Sequence, residues 1–559
     1  MEPGSIIIIG LDGATFSLIK PYVRAGKLPH IGRLMEIGTY GNLRSTIHPI
    51  TQIAWTTFMT GKNAGKHGIF DFYARKPNSY DFQYTAGSGC GSVTLWKILS
   101  DHGKRVGCLN VPMTYPVEEV NGFMIAGLGA PGRHSDFVFP LALKDEILRV
   151  AGDYKLLDAD KFMNDPQAYL RYQVEAIRQT EELSLYLLKK FPVDVFMVVF
   201  MATDQVQHLF WHCQDETHPM FTPEEHRRYG GVIFQIYQEI DRAIGRLLEA
   251  GGEDCTFVLM SDHGFGPTQK VVYLHKWLEE QGSFAFRQDG RFFRKRLKHL
   301  LGRFRHRAMQ VLPRAWKNEL RRFFPALVDK FDSYVTFGNV DWSRTQAYPW
   351  GAYGNININL QGREPQGVVA PGAEYEELRA HIARKLLELK DPDTARPVVE
   401  QVYRREELYH GDFVHLAPDL IVVFQDYAYY TAPSRNLDPG KKTFEKAFSQ
   451  DIDKPLRALT QHRIDGICLF AGPGVKPRQE ITGAHIADVA PTLLHLLDLA
   501  VPVDMDGRVL MDILAEDRRS RPVRYADVSG RKDISPDSPF SDEEQEAIAG
   551  RLRALGYLE

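Results

Sequence analysis

The sequence predicts an α/β fold with a mixed, mostly parallel sheet that carries helices on both faces. Several short apolar runs rich in β-branched residues end in a polar residue, as strands of such sheets do. Between them lie segments with apolar residues at three- and four-residue spacing, which is typical of helices, and the clearest are residues 166–190 and 224–249. Strands that alternate with helices favour a sheet with helices packed on each side.

Length and composition indicate a folded protein with more than one ordinary domain, or one large domain with insertions. The chain has 559 residues, of which 44% are hydrophobic and 25% are charged. These values exclude the disordered, collagen-like and coiled-coil classes. The formal net charge is −3, so there is no overall basic excess and we expect no specific nucleic acid recognition.

Cysteine usage and hydropathy predict a cytoplasmic protein. The five cysteines are scattered and show no C-x-x-C spacing, which fits reduced thiols better than a disulfide framework. The apolar run at residues 6–9 lacks the preceding basic region of a signal peptide. No stretch of about 18 apolar residues suggests a transmembrane helix.

Three of the predicted strands are followed by carboxylates. The apolar runs are residues 6–9, 193–201 and 256–260, and the acidic residues that follow them are Asp12, Asp204 and Asp262. Ligands of open α/β sheets bind outside the carboxyl ends of the strands. We therefore expect the three carboxylates to contribute to one shared site.

Two histidines accompany these carboxylates at spacings that suit a metal ion. Asp204 and His208 are four residues apart, so on a helix they share a face and both can reach one ion. Asp262 and His263 are neighbours in a glycine-rich turn. Each pattern alone is weak, because such pairs arise by chance and an Asp after a strand often caps a helix. Their joint occurrence, each directly after an apolar strand, favours a metal site.

Five separated motifs agree in order and type with one family. They are Gly10-Leu-Asp12-Gly-Ala14, the run from Thr51 to Ile69 with Thr60-Gly61 and His67-Gly68, Asp204-x-x-x-His208, Asp262-His263-Gly264, and Gln461-His462-Arg463. The sequence thereby resembles the alkaline phosphatase superfamily, and within it the type I phosphodiesterase / nucleotide pyrophosphatase family, including bacterial members described as predicted phosphohydrolases or phosphomutases. The resemblance covers about residues 5–275 and 400–515.

The resemblance implies an alkaline-phosphatase-like fold and a pair of Zn²⁺ ions, for which Mn²⁺ is a plausible substitute. The implied ligands of one ion are Asp12, Thr51, Asp262 and His263, and those of the other are Asp204, His208 and His462. Asp, His and Thr oxygens and nitrogens suit zinc, and two metals about 4 Å apart stabilise the attacking and leaving oxygens of a displacement at phosphorus. Thr51 is the implied nucleophile, and a phospho-threonine the implied intermediate.

The register of the second motif selects Thr51 among several neighbouring threonines. Thr56 and Thr57 fall inside a helix that begins at Thr51 and runs to about residue 59, where each is expected to bond the carbonyl four residues earlier. The plain alternative for Thr51 is an ordinary helix N-cap. Two groups are candidates for stabilising the developing charge, the backbone N–H of Gln52 and the amino group of Lys62, and the sequence does not select between them.

The implied function is metal-dependent hydrolysis of phosphodiester or pyrophosphate bonds in small anionic phosphoesters, with nucleotide-type substrates favoured. A diester is preferred because residues 51–69 hold no Arg to bind the second charge of a monoester. One alternative is a phosphomonoesterase or phosphomutase of the same superfamily. Another is an inactive relative that acts as a membrane-surface or partner-binding module.

We expect a catalytic core at residues 1–275 and 400–530, a cap at 276–399 and a tail helix within 531–559. Residues 291–322 in the cap hold twelve Lys and Arg against one acid, interleaved with apolar residues at helical spacing. This pattern is typical of basic amphipathic helices that bind anionic membrane surfaces. A lid that steers an anionic substrate and a plain solvated helix are the alternatives.

Overall fold

The computed structural model describes residues 4–152, 154–155, 162, 165–287, 337, 339–351, 353–431, 437–446, 460–527 and 539–554. The basic segment 291–322 lies outside the described residues, so its role stays a prediction. Within the described ranges, no helix has the length and apolar character needed to cross a membrane.

The strands, in chain order, are β1 Ile6–Leu11, β2 Gly38–Arg44, β3 Tyr73–Arg75, β4 Phe82–Tyr84, β5 Val106–Val111, β6 Gly122–Ala126, β7 Val138–Phe139, β8 Val195–Phe200, β9 Thr256–Met260, β10 Gly264–Pro267, β11 Lys270–Val272, β12 Ala347–Trp350, β13 Asn355–Ile358, β14 Val399–Arg404, β15 Leu420–Phe424, β16 Tyr429–Thr431, β17 Phe444–Lys446, β18 Thr460–Arg463, β19 Asp465–Ala471, β20 Gln479–His485, β21 Val501–Pro502 and β22 Tyr525–Ala526.

The α-helices, in chain order, are α1 Phe16–Arg24, α2 Pro29–Ile37, α3 Thr51–Thr60, α4 Ala64–His67, α5 Leu95–Asp101, α6 Lys144–Ala151, α7 Pro166–Lys190, α8 Ala202–Gln214, α9 Pro223–Tyr229, α10 Val232–Gly251, α11 Leu274–Glu280, α12 Ala373–Leu387, α13 Arg405–Leu408, α14 Val489–Leu496, α15 Glu516–Arg519 and α16 Asp542–Ala554.

The central sheet has the mixed, mostly parallel arrangement that the sequence predicts. Among the described residues it has nine strands, in the order β20-β2-β19-β9-β1-β8-β5-β6-β7. The middle strand, β1, pairs in parallel with both β8 and β9. Antiparallel pairs occur where β19 lies between β9 and β2 and where β7 closes the far edge.

Helices cover both faces of this sheet, as predicted. Ile6 and Ile8 of β1 belong to the apolar core that includes residues of α3, α5 and α14, whereas Ile7 and Ile9 belong to the core formed with α2, α7 and α10. All four isoleucines are at most 2% exposed. Because side chains alternate across a strand, a strand buried on both faces needs a continuous apolar run.

One predicted helix is two helices. The segment 224–249 contains α9 and α10, which are separated at Gly230 and Gly231. Two adjacent glycines weaken a helix because glycine loses the most conformational freedom on folding. The prediction of residues 166–190 as one helix is confirmed by α7.

A second sheet, with the order β12-β13-β15-β14, meets the loop after α4 at Asp71. Gly351, at the end of β12, has a φ of +73°, and a Cβ there would lie 2.2 Å from Asp71 Oδ2. Asp71 Oδ1 accepts a hydrogen bond from the N–H of Phe72, while Oδ2 has no partner among the described residues. Burial raises the pKa of Asp71 to about 7.

Asp71 therefore makes the stability of the protein depend on pH. A carboxyl group whose folded-state pKa lies above its unfolded value opposes folding once it ionises, so stability falls as pH rises from about 4 to above 7. We expect Asp71→Asn to be more stable than the wild type at pH 8, by up to about 4 kcal/mol, and no more stable at pH 4. Urea unfolding at both pH values measures the difference, and an equal effect at both would contradict this explanation.

Candidate metal centre

The structure brings the seven predicted ligand side chains together at the carboxyl ends of β1, β8 and β9. Asp12 follows β1, Asp204 lies in the first turn of α8 after β8, and Asp262 follows β9. Thr51 begins α3. His462 lies in β18, which pairs with β10 so that His462 is opposite Phe265, close to the turn at Asp262 and His263. All seven side chains are buried.

Asp204, His208 and His462 form a compact group of three ligand atoms. The two Nε2 atoms of His208 and His462 are 3.1 Å apart. Asp204 Oδ1 lies 3.2 Å from Nε2 of His208 and 3.3 Å from Nε2 of His462. Ligands at about 2.0 Å from a tetrahedral zinc ion are separated by about 3.3 Å, so this group has the size of one face of a zinc site.

A second group is centred on Nε2 of His263. It lies 3.3 Å from Thr51 Oγ1, 3.2 Å from Asp262 Oδ2 and 3.6 Å from Asp12 Oδ1. Ligand atoms of Asp12, Asp204 and His263 also lie within 4.8 Å of one another. Asp204 therefore lies beside both groups, which makes the whole arrangement a candidate for two neighbouring cations.

Backbone carbonyls fix which nitrogen of the two stacked imidazoles faces the site. His263 Nδ1 lies 3.0 Å from the carbonyl of Gly264, and His462 Nδ1 lies 2.7 Å from the carbonyl of Pro49. A carbonyl only accepts hydrogen bonds, so Nδ1 carries the proton in each ring and Nε2 keeps its lone pair for a ligand. Such partners orient metal-binding histidines in proteins.

The electrostatics of the site favour cations. Burial, followed by the nearby charges of Asp262 and Asp204, raises the pKa of Asp12 well above its ordinary value. Burial also raises the pKa of Asp262. Burial opposes ionisation of Asp204 too, but His208 and His462 outweigh it and hold the pKa of Asp204 below its usual range. Burial, and then the charge of His462, lowers the pKa of His263.

Two buried oxygens provide an independent test of whether these side chains suit metal ions. Asp12 Oδ1 and Asp262 Oδ2 have no hydrogen-bond partner in the described part of the chain. Leaving a buried carboxylate oxygen without a partner is unfavourable. Both oxygens lie near Nε2 of His263, at 3.6 and 3.2 Å, and a divalent cation would satisfy the carboxylates and this nitrogen together. The residues present therefore fit a metal centre.

Sequence reasoning missed two side chains that orient the ligands. Trp55 Nε1 donates to Asp12 Oδ2 at 2.9 Å, and a Cβ at Gly10 would lie 2.7 Å from the Trp55 ring, so glycine allows this approach. The hydroxyl of Tyr353 lies 3.0 Å from Nδ1 of His462. Trp55 could have been found from its place one helical turn after Thr51. Tyr353 lies in a segment where the sequence analysis found no motif, so no sequence signal pointed to it.

The threonines of α3 differ in role. Ile50, not Thr51, occupies the N-cap position and Thr51 forms no capping bond, so the N-cap interpretation is wrong. Thr56 Oγ1 donates to the carbonyl of Gln52 at 2.6 Å, as predicted. The same prediction is wrong for Thr57, whose Oγ1 lies 3.1 Å from Nε2 of His67. A buried histidine close to the helix offered a side-chain partner that sequence spacing did not reveal.

Of the two candidate groups for charge stabilisation, Lys62 is engaged elsewhere. Its amino group forms an ion pair with Asp504. The N–H of Gln52 lies in the first turn of α3, where N–H groups lack intrahelical partners and the helix dipole favours an anion. The structure therefore favours Gln52 over Lys62 for this role.

Trp55 provides a test of how strongly residues around the ligands affect metal binding. We expect Trp55→Phe to weaken metal retention by about 10- to 100-fold, because Asp12 loses the donor that orients it. Competition with a chelator measures the change. Trp96→Phe is the matched control, since Trp96 is equally buried but its Nε1 has no partner among the described residues. Equal metal loss in both variants would contradict the role of the Trp55 bond.

The match to a family model agrees with the motif pattern. Residues 6–449 match the family model described as type I phosphodiesterase / nucleotide pyrophosphatase. No significantly similar sequence was found among curated proteins. Similar solved structures include human ectonucleotide pyrophosphatase / phosphodiesterase 5, with 13% identity and a TM-score of 0.48 over 91% of this chain and 99% of that one. They also include phosphonoacetate hydrolase from Sinorhizobium meliloti 1021 in complex with phosphonoformate, with 14% identity and a TM-score of 0.49 over 87% and 94%.

The family match covers residues 6–449, well over half of the chain. It includes six of the seven predicted ligands. His462 lies just beyond it. The protein is therefore a member of the type I phosphodiesterase / nucleotide pyrophosphatase family, a family of phosphoric ester hydrolases.

Proposed function

We propose that this protein is a phosphohydrolase that cleaves phosphodiester or pyrophosphate bonds at a dinuclear Zn²⁺ centre, through a phospho-threonine on Thr51. The observation that carries the proposal is the spacing of 3.1 to 3.3 Å among the ligand atoms of Asp204, His208 and His462. A second group of similar spacing surrounds His263 and includes the proposed nucleophile. Small anionic phosphoesters are the proposed substrates.

The seven side chains divide into two proposed ligand sets that lie side by side. Asp12, Thr51, Asp262 and His263 would hold one cation, and Asp204, His208 and His462 the other. Cations held there would supply a lowered pKa of Thr51, an activated water molecule and stabilisation of charge on the phosphoryl oxygens. Oxygen and imidazole nitrogen ligands suit Zn²⁺, and Mn²⁺ is a plausible substitute.

Thr51 is well placed to attack. Its hydroxyl faces His263 at 3.3 Å, and it begins α3, whose dipole and first-turn N–H groups favour the incoming phosphoryl group. As the bond from Thr51 Oγ1 to phosphorus forms, the bond to the leaving oxygen breaks. Water then hydrolyses the phospho-threonine and regenerates Thr51.

The charges near Thr51 support a diester over a monoester. Lys62 and Lys66 form ion pairs with Asp504 and Asp506. The guanidinium of Arg463 donates to backbone carbonyls, including that of Tyr427. These three cations have protein partners, so among the described residues they are less available to bind the extra charge of a monoester. A clear preference for monoesters would favour the phosphomonoesterase or phosphomutase alternative.

Replacing the nucleophile gives the most direct test. We expect Thr51→Ala to lower turnover of a chromogenic phosphodiester by about 10³-fold or more, because the covalent route is removed while the fold is kept. The matched control is Thr56→Ala, which removes a neighbouring buried hydroxyl that bonds only a backbone carbonyl among the described contacts. Wild-type turnover by Thr51→Ala would reject the assignment.

Metal content tests the dinuclear centre separately. Protein purified without chelator should contain about two metal ions per chain, and stripping should abolish activity until metal is restored. His462→Ala should lower the content toward one, and phosphate should accumulate on Thr51 because water activation is impaired. Elemental analysis and mass spectrometry of the trapped protein measure both effects. One ion per wild-type chain would contradict the model of two.

A further inference from the structure

The second sheet reaches the candidate metal centre through Tyr353. β12 and β13 pair so that Trp350 is opposite Asn355, and Tyr353 lies in the turn between them. The N–H of Val422 donates to the carbonyl of Gly354 at 3.2 Å, which attaches this turn to β15. Tyr353 is only 6% exposed. A side chain of the second sheet is therefore buried beside a centre whose proposed ligands all come from other parts of the chain.

The hydroxyl of Tyr353 contacts one proposed ligand, His462. Its oxygen lies 3.0 Å from Nδ1 of His462, and the carbonyl oxygen of Pro49 lies 2.7 Å from the same nitrogen. A carbonyl only accepts, so Nδ1 carries the proton and shares it between the two oxygens. Tyr353 is therefore an acceptor in this contact. Acceptors on the far nitrogen of an imidazole orient the ring and make the other nitrogen, here Nε2, a stronger metal ligand.

The ring of Tyr353 is held between two imidazoles. Its centre lies 5.8 Å from the centre of the His462 ring and 5.8 Å from that of the His48 ring. His48 is 2% exposed and lies in the loop that leads to Thr51. Packing on both sides limits the movement of the phenol. The aromatic contacts therefore keep its hydroxyl at Nδ1 of His462.

The two proposed ligand sets differ in their contacts with the second sheet. We call Asp204, His208 and His462 the two-histidine group, and we call Asp12, Thr51, Asp262 and His263 the threonine group. Partners outside the threonine group that bond its side chains are the N–H of Gly13, the indole of Trp55 and the carbonyl of Gly264. Among the described residues, no hydrogen bond to a side chain of the threonine group comes from the second sheet. The contact through Tyr353 reaches only the two-histidine group.

We propose that Tyr353 is a positioning residue for the cation of the two-histidine group, and that the second sheet thereby controls retention of this cation separately from the other. The inference rests on the proposed function, because it assumes two bound cations. Tyr353 acts through His462 and not on the substrate. Loss of its hydroxyl should weaken one cation site and spare the other. A residue that only supports the fold would affect both sites or neither.

Stepwise metal binding tests this difference. The full chain, freed of metal with a chelator, is titrated with Zn²⁺ against a chromogenic competitor, which gives a dissociation constant for each cation. We expect Tyr353→Phe to weaken the binding of one cation by about tenfold and to leave the other constant unchanged. The effect lies at the low end of the range for such partners because the carbonyl of Pro49 remains.

Ligand variants identify which cation is affected. His462→Ala removes a ligand of the two-histidine group, so Tyr353→Phe should cause no further change in the cation that remains. His263→Ala removes a ligand of the threonine group, and the tenfold effect of Tyr353→Phe should persist in that background. Trp55→Phe should show the opposite pattern, because Trp55 bonds Asp12 of the threonine group.

Tyr348→Phe is the matched control. Tyr348 lies in β12 of the same sheet and is fully buried. Its hydroxyl lies 3.3 Å from Oε1 of Glu364, which is not a proposed ligand. Both variants remove a buried hydroxyl, so a general weakening of the second sheet should appear in both, and thermal unfolding of the metal-free proteins measures it. We expect wild-type dissociation constants for both cations in Tyr348→Phe.

The outcomes separate this inference from the proposed function. Equal weakening of both cations by Tyr353→Phe, or no change in either, would overturn the inference, while two cations in the wild type would keep the dinuclear centre intact. The same holds if Tyr348→Phe gives the same selective loss, or if the effect of Tyr353→Phe persists in His462→Ala. A single binding step in the wild type would contradict the dinuclear centre and, with it, separate control of one cation.

Discussion

Three carboxylates buried side by side at the ends of adjacent parallel strands are the constraint on which the structure depends. Asp12, Asp204 and Asp262 are removed from water, and Asp12 Oδ1 and Asp262 Oδ2 have no hydrogen-bond donor among the described residues. Burying unpaired charge is strongly unfavourable, so such groups take up protons or bind cations. The raised pKa values of Asp12 and Asp262 show the first response, and the neighbouring imidazoles make the second available. Metal binding at this candidate centre would therefore be coupled to the stability of this edge of the sheet.

The chain reaches this arrangement through strand pairing. Gly10 of β1 is in register with Val199 of β8 and Met260 of β9, so the residues that follow the three strands emerge at one edge. This edge could be predicted from the sequence, because buried parallel strands need continuous apolar runs and their ends are marked by the first polar residues. The spacing of Asp204 and His208 likewise needed only the geometry of a helix.

Other parts of the site depend on contacts between residues far apart in the chain, which periodicity does not encode. His462 reaches the centre because β18 pairs with β10, and only the family motif indicated it. Tyr353 follows β12 in a segment without a motif, so its contact with His462 was not predicted. Thr57 was expected to bond its own helix, but His67 lies within reach after α4 turns back. In each case a tertiary contact decided the outcome, and for Thr57 it overrode the local rule.

The two helices that carry Thr51 and Asp204 also carry a buried amide next to each of these residues. Thr51 and Gln52 are consecutive on α3, and Asp204 and Gln205 are consecutive on α8. Consecutive helical residues point about 100° apart, so one of each pair can face the candidate metal centre while the other points away from it. A rigid helix fixes the angle between the two directions, which means that positioning the ligand also positions the amide.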